Sequence, residues 1–461
     1  MHLCLEVLSF HDYRLINKRL TMKKTLTLLS FAVLTTLVAK AQDPCSTGRY
    51  ASDVYSNITT TSNIVYGANT SFSGANTTLK LDFYEPTGDT AQARPLIIWA
   101  HGGSFLGGTK ADGDVVALSQ KFAKKGYVCA SIDYRTGFFP IDSVNSVKAV
   151  VRAVQDMKAS IRFFYADRQG ANTYKIDTTK IYIGGSSAGA ITALHVAYLD
   201  DECKISDYLN AGAISALGGL EGSSGNPGFS TDVQGVINLC GALARYSWLE
   251  GDDVPLCSLH GTSDGTVKYN RGIVNPGIAL MYLDGSRMLH ERACAVDLEN
   301  QFYTFLGAPH VPYAGTSASA QAYMDTTVNF VRDFLIGQFG CPNALLQPEN
   351  ARAQSAVLYP INDCSGNPIV DVCLSTGLVE SEYDLGMNVH PNPASESIII
   401  SWKSTAEMNV QLIDFSGRSI HNEHVYGTEY QLDRKGLNNG VYMIILSDTQ
   451  GNVTNQRVIF N

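Results

Sequence analysis

Lys180-Ile181-Tyr182-Ile183-Gly184-Gly185-Ser186-Ser187-Ala188-Gly189-Ala190 is the stretch around which the chain is organised. Ile181-Tyr182-Ile183 is a β-branched and aromatic run with the composition of a buried strand. Gly184 and Gly185 end it, and Ala190–Leu199 reads as a helix. Between strand and helix lies Gly185-x-Ser187-x-Gly189, the setting of a nucleophile elbow. The spacing has a steric reason: in so tight a turn the residues two before and two after the serine must lack bulky side chains. Ser187 then stands at a helix N-terminus, where backbone N–H groups and the helix dipole favour a developing oxyanion. Ser186 fits the pattern less well, because its frame puts Ala188 where Gly189 sits. A Gly/Ser turn without chemistry has the same composition, so the reading rests on its surroundings.

Upstream, Pro95–Ala100 is a continuous apolar run, as expected of a central strand buried on both faces. It ends at His101-Gly102-Gly103-Ser104-Phe105, where the Gly pair lets backbone approach a ligand. Gly103, with Ser104, is placed to aim an N–H at a substrate oxygen. Tyr127–Tyr134 is the next strand, and Val147, Val150, Val151, Val154, Met157, Ile161 and Phe164 mark one face of a long helix. Ser206–Asp232 is rich in Gly, Ser and Asn, without a Lys-Ser/Thr phosphate-loop ending, and reads as a loop beside the site that shapes a groove. Val236–Cys240 and Val254–Leu259 are two further strands. The second runs into His260-Gly261-Thr262-Ser263-Asp264, after which helical material is expected through Asn300. Gln301–Phe305 is a last strand, ending at Gly307-Ala308-Pro309-His310, and Met324, Val328, Val331 and Leu335 mark a closing helix. The alternation predicts an α/β fold: a mostly parallel sheet with helices on both faces.

A serine, an acid and a histidine thus follow one another in the chain, each just beyond a predicted strand, where open α/β sheets gather functional groups. The expected roles are Ser187 as nucleophile, His310 as its base and Asp264 as the group that orients the imidazole. The Ala188 N–H, with Gly103, is expected to hold the oxyanion. Asp252 and Asp253 compete for the acid's role, and Asp264 has the alternative of capping a helix. His101 and His260 read as loop-shaping residues.

These motifs resemble the α/β-hydrolase superfamily. His101-Gly102-Gly103 is similar to the HGG oxyanion motif of its carboxylesterase and hormone-sensitive-lipase-like branches, Gly185–Gly189 to their elbow, and His260–Asp264 to their acid loop. The likeness covers about Leu79 to Gly340. Ser104 stands where the family usually has a third glycine, which leaves the second oxyanion donor open. The resemblance implies hydrolysis of carboxylic esters through an acyl-enzyme, with no cofactor and no metal. The substrate class is short acyl or aryl esters, including esters borne on polysaccharides. The alternatives are a lipase or polyester hydrolase and an inactive hydrolase-fold binding protein; a peptidase of this fold is disfavoured by the lack of a propeller or large cap.

The net charge of -9 argues against a nucleic-acid partner. Met22-Lys23-Lys24, the apolar Thr25–Val38 and the small-x-small site at Ala39-Lys40-Ala41 read as a secretory signal peptide over residues 22–41. Met22 is the expected start, with Met1–Thr21 an upstream extension, and the apolar run is short for a stable membrane span. The expected location is therefore secreted or cell-surface. Export favours disulfides. Nine of the ten cysteines lie downstream of Cys4, so at least one is free or linked between molecules. Cys129 is an expected buried thiol, Cys364 and Cys373 are spaced to close a local loop, and no Cys/His spacing suggests zinc.

The catalytic domain is expected over 42–340, a linker or covering extension over 341–387, and an all-β domain over 388–461. In the last, His390-Pro391-Asn392-Pro393 precedes strands at Ser397–Trp402, Val410–Phe415, Gly440–Leu446 and Arg457–Phe460, with a turn at Ser416-Gly417. This part resembles the small β-sandwich sorting domain of the Bacteroidetes type IX secretion system. The resemblance rests on the Pro-Asn-Pro start, on Gly436–Tyr442 and on a basic-apolar end in which Arg457 replaces the commoner Lys. It implies the secretion machinery as a partner and outer-membrane export. A substrate-binding β module is the alternative, disfavoured by the single strand-borne tryptophan, Trp402.

Overall fold

The computed structural model describes residues 47–341, 359, 361–362, 364, 366, 368–369, 385–413, 419–449 and 453–460. The signal peptide and the Ser416-Gly417 turn lie outside them. The described residues fall into two compact units that meet in sequence after Ile369.

The first unit is built on an eight-stranded sheet. Its strands are β1 (Ile58–Thr70), β2 (Asn76–Pro86), β3 (Arg94–Ala100), β4 (Val128–Ile132), β5 (Ile176–Ser186), β6 (Val236–Leu239), β8 (Leu256–Gly261) and β11 (Asn300–Phe305). Their spatial order is β1-β2-β4-β3-β5-β6-β8-β11. β1 and β2 pair antiparallel, as do β2 and β4, and every later pairing is parallel. The strands from β3 to β8 are buried on both faces, which explains their unbroken apolar runs. Helices α1 (Gly113–Lys124) and α7 (Ala318–Gly337) share one core cluster with Ile97, Trp99, Cys129 and Tyr182. Leu96, Ile98 and Ile183 point to the opposite face and are fully buried too. Helix α2 (Ser143–Gln169) starts at Asp142, whose carboxylate accepts from the Asn145 N–H at 2.7 Å. Helix α3 (Ala188–Tyr198) is apolar nearly all round and is accordingly enclosed.

Two sequence expectations are corrected here. Residues 268–300 are not continuously helical: β9 (Arg271–Ile273) and β10 (Tyr282–Gly285) form a small antiparallel sheet with β7 (Ala242–Leu243), and only α6 (Ser286–Ala295) is helix. Asn275-Pro276-Gly277 between β9 and β10 breaks any helix there. Residues 206–232 do not line a groove as a whole. They contain helix α5 (Ala211–Leu217), capped by Asn210, after the short α4 (Glu202–Ile205). Ser224 then donates to the buried Asp156 at 2.6 Å, tying this stretch to α2; of the whole stretch only Tyr208 faces the pocket described below.

The hairpin β12 (Ile361–Asn362) with β13 (Pro368–Ile369) belongs to the first unit, and a disulfide joins Cys364 to Cys203 of α4. The expected local Cys364–Cys373 loop is thereby overturned. Cys294 and Cys341 are also oxidised, whereas Cys129, Cys240 and Cys257 are free and buried. Among the described residues no helix is long and apolar enough to cross a membrane.

The second unit is all-β and antiparallel. β15 (Ser397–Ile413) is one long strand where two were expected, with a register shift between Ser401 and Ala406. Its first part pairs with β14 (Asn388–His390), its second with β17 (Gly440–Asp448), and β18 (Val453–Phe460) closes that edge. Ile398, Ile400, Val410 and Leu412 alternate into the core. β16 (Ser419–Asp433) pairs along β15 and was not legible, because most of it is polar and exposed.

Candidate active site

Ser187 follows β5 directly and opens α3, with φ 55° and ψ −116°. A non-glycine residue adopts that backbone only under constraint from its surroundings. The constraint is visible on both sides. A Cβ on Gly185 would lie 2.4 Å from the Gly189 carbonyl carbon, and one on Gly189 would lie 2.0 Å from the Ala100 carbonyl oxygen. The two glycines let the turn close against itself and against the end of β3. Gly189→Ala is therefore expected to cost about 3 kcal/mol or more and to lower the melting temperature by about 5 °C or more. A calorimetric scan checks this; an unchanged melting temperature would show that the elbow has room to relax.

Ser186 points elsewhere. Its hydroxyl lies 2.8 Å from the hydroxyl of the fully buried Tyr313. Ser187 Oγ instead lies 2.8 Å from His310 Nε2, and His310 Nδ1 lies 2.6 Å from Asp264 Oδ2. The Asp264 side chain is fully buried, at the end of β8, and His310 sits in the loop after β11. Asp264 Oδ1 accepts from the N–H groups of Thr266 and Val267 at 2.8 and 2.9 Å. Burial alone would raise its pKa, but hydrogen bonds from His260 and His310 hold the carboxyl well below its ordinary value. Asp264 is thus a fixed negative charge facing one edge of His310.

His260 supplies part of that fixation. Its Nε2 lies 3.0 Å from the Val267 carbonyl oxygen and 3.2 Å from Asp264 Oδ2. A carbonyl can only accept, so Nε2 carries a proton. Its Nδ1 lies 2.7 Å from Ser286 Oγ, which in turn accepts from Asn238 at 2.9 Å. Asp253, the competing acid, accepts from the Glu250 N–H in its own turn.

The loop after β3 comes close to Ser187: a Cβ on Gly102 would lie 3.4 Å from Ser187 Cβ. Gly103, Ser104 and Phe105 have φ of 105°, 57° and 60°, a run of left-handed backbone. The Gly103, Ser104 and Ala188 N–H groups have no hydrogen-bond partner among the described residues. His101 shapes this loop, as expected: its Nδ1–H donates to the Gly102 carbonyl at 2.7 Å, and its ring stacks on Tyr134 at 4.2 Å. Burial keeps the pKa of that imidazole below its ordinary value.

An apolar pocket opens beside Ser187, walled by Val147 and Val150 of α2, Ile191 of α3, Leu280 and Met281 from the β9–β10 loop, and Trp248. A second, more polar cleft, which also reaches Ser187, carries Asp112, Asp114, Asn275 and His310. The pocket was not legible in the sequence. Behind its wall, Tyr359 donates to Asp284 of β10 at 2.7 Å, and Arg271 of β9 lies 3.9 Å above the Tyr359 ring. The Cys203–Cys364 bridge holds the same segment to α4, whose Ile205 also faces the pocket.

His195 of α3 is buried in this wall, its Nδ1–H donating to the Ile191 carbonyl at 2.7 Å. Burial pushes it down to about 4. Below an ordinary value near 6.5 the unfolded chain takes up a proton that the folded chain refuses until about 4. Stability is therefore lost as pH falls through this window, by about 3 kcal/mol for this residue. Comparing the melting temperatures of the wild type and His195→Phe from pH 7 to 4 checks it: the variant should lose less. Parallel declines would contradict a neutral His195.

Residues 81–217 match the BD-FAE family, an esterase-like α/β-hydrolase domain, and residues 388–461 match the secretion system C-terminal sorting domain. Solved structures of Thermogutta terrifontis esterase 2 are similar. The paraoxon-phosphorylated form is 22% identical with a TM-score of 0.46, over 63% of this chain and 96% of that one. The apo form is 22% identical with a TM-score of 0.46, over 62% and 96%. The propionate-bound form is 20% identical with a TM-score of 0.45, over 62% and 96%. No curated protein matches the chain.

Proposed function

We propose, for a chain that joins an esterase-like α/β-hydrolase domain to a secretion system sorting domain, that it is an exported serine esterase acting through an acyl-enzyme on Ser187. The observation that carries the proposal is the unbroken line Ser187 Oγ–His310 Nε2, His310 Nδ1–Asp264 Oδ2, at 2.8 and 2.6 Å. His310 takes the Ser187 proton as Oγ attacks the ester carbonyl, then gives it to the leaving alcohol. A water, deprotonated by His310, next releases the acid and restores Ser187. Asp264 keeps a proton on Nδ1, so that Nε2 faces Ser187 with its lone pair, and stabilises the imidazolium. The free N–H groups of Ala188, Gly103 and Ser104 are suited to the tetrahedral oxyanion, each worth roughly 10²–10³ in rate. The chemistry needs no cofactor.

The substrates proposed are short acyl or aryl esters, including esters on polysaccharides, with the polar cleft available to a hydroxyl-rich alcohol portion. The sorting domain takes the enzyme through type IX secretion to the cell surface or the medium, after a signal peptide over residues 22–41. A lipase or polyester hydrolase is the second reading, favoured by apolar side chains exposed on the loops that form the site: Leu106 and Ile278 are 45% and 52% exposed. Turnover of p-nitrophenyl acetate, butyrate and laurate, methyl ferulate, acetylated xylan and a polyester film tests both, with Ser187→Ala as the blank. Short, aryl or xylan esters should lead. Preference for laurate or the film would move the assignment to the second reading, and no turnover at all would favour an inactive binding protein.

A further inference from the structure

One buried thiol beside the Ser187–His310–Asp264 line is not used by the proposed chemistry. Cys240 follows β6, is fully buried and holds φ 57°. A buried cysteine is ordinarily a small hydrophobe. The other free thiols fit that description: burial alone acts on Cys257, and Cys129 has only the Trp99 indole beside it. Cys240 differs. The Gly261 and Val311 N–H groups donate to its sulfur, and the Tyr313 hydroxyl is in hydrogen-bond contact with it. Burial pushes the thiol up to about 12, but donors aimed at one sulfur favour its thiolate.

The same sulfur lies close to two further ligand types. One atom each of Cys240, Asp264 and His310 (a sulfur, a carboxylate oxygen and a ring nitrogen) lie within 4.8 Å of one another. Thiolate, carboxylate and imidazole are zinc's own ligand types, and three of them leave its fourth position to water. Tetrahedral bonds require the three atoms to draw together by about 1.5 Å at most. His310 can supply that movement, since it sits on a loop with its side chain 20% exposed. An ion also has a way in. The polar cleft is lined by His310 and Val311, and its other charged side chains are Asp112 and Asp114. Carboxylates in a cleft raise the local concentration of cations.

The structure assigns Cys240, Asp264 and His310 to an inhibitory site for a thiophilic divalent cation of the zinc class. On binding, the Cys240 thiol proton leaves to solvent and Sγ bonds the ion. Either ring nitrogen serves. An ion on Nε2 consumes the lone pair that faces Ser187. An ion on Nδ1 displaces the hydrogen bond to Asp264 and leaves the ring proton on Nε2. In both cases His310 can no longer take the Ser187 proton. Ion binding stands on the three ligands alone, and its effect on turnover rests on the esterase reading above.

The test titrates the full chain, first stripped with EDTA and dialysed, with Zn²⁺, with Cd²⁺ and with Mg²⁺ as the oxygen-seeking control. Turnover of p-nitrophenyl acetate should fall roughly 10²-fold or more under Zn²⁺ or Cd²⁺, return with excess EDTA and ignore Mg²⁺. Cd²⁺ should also raise an ultraviolet thiolate-to-cadmium charge-transfer band that saturates in step with the loss. Cys240→Ala and Cys240→Ser should keep turnover, lack the band and need roughly 10- to 100-fold more ion for equal inhibition. Absence of inhibition, inhibition without the band, or equal inhibition of the wild type and both variants overturns the inference while the esterase reading stands. If neither variant folds, the wild-type titration still decides, because band and inhibition must saturate together. No turnover by the stripped wild type overturns the esterase reading, and the band, present in the wild type and lost in the Cys240 variants, then carries the site by itself.

Discussion

Ser187→Ala should lower ester turnover roughly 10⁵- to 10⁶-fold, while Ser186→Ala should keep most of it. The two hydroxyls are adjacent in sequence, yet the elbow separates them. Ser187 has the strained backbone, with φ 55°, that lifts Oγ to within 2.8 Å of His310 Nε2. Ser186 is the last residue of the strand, and its hydroxyl pairs with Tyr313 in the interior. Losing the first removes the proposed nucleophile. Losing the second leaves the Tyr313 hydroxyl with a long contact to the Leu239 carbonyl, at 3.5 Å, and the Cys240 thiol. That should cost about 1 kcal/mol of stability. Steady-state kinetics on p-nitrophenyl acetate separates the two. A collapse in Ser186→Ala with activity retained in Ser187→Ala would reverse the frame of the elbow.

Asp264→Asn should lower kcat roughly 10⁴-fold, and Asp253→Asn should change it little. The reason is hydrogen-bond polarity. Asp264 Oδ1 is held by two backbone donors, the Thr266 and Val267 N–H groups, so an asparagine there keeps its carbonyl oxygen on that side. Its amide N–H₂ then faces His310 Nδ1, which must accept. The ring proton moves to Nε2 and points at Ser187 Oγ, the tautomer that cannot take the serine's proton. The substituted side chain is nearly isosteric, but it gives up the carboxylate that His260 and His310 stabilise, so a lower melting temperature should accompany the loss in kcat, which is read on the folded variant. Asp253 stabilises its own turn through the Glu250 N–H and touches none of these groups. Equal losses in the two variants, or a larger one in Asp253→Asn, would reassign the acid.

How much of this was legible follows from how local each feature is. The elbow could be read because its requirement is steric and lies within five residues: Gly185 and Gly189 have no room for a Cβ. The parallel strands could be read because burial on both faces leaves a continuous apolar run, as in β3 and β5. The acid and the base could be proposed because such a sheet delivers the ends of its strands to one edge. The pocket could not, since its wall is assembled from α2, α3, Tyr208, Trp248 and the β9–β10 loop, which meet only in space. Tyr313 and His260 were missed as supports of the site for the same reason, although the polarity of a histidine inside an apolar strand such as β8 was a usable signal for the second. The Cys203–Cys364 bridge spans 161 residues, and no spacing rule reaches so far. β1 and β16 escaped because edge strands rich in Thr, Asn and Glu show little alternation.

The most direct test of the central claim is covalent. The full chain is treated with a fluorophosphonate, which phosphonylates an activated serine, then digested and mapped by mass spectrometry. A single adduct on Ser187, absent from Ser187→Ala and much slower to form in His310→Ala, is the predicted result. Labelling of Ser186, or no labelling of a chain that still hydrolyses esters, would contradict the mechanism.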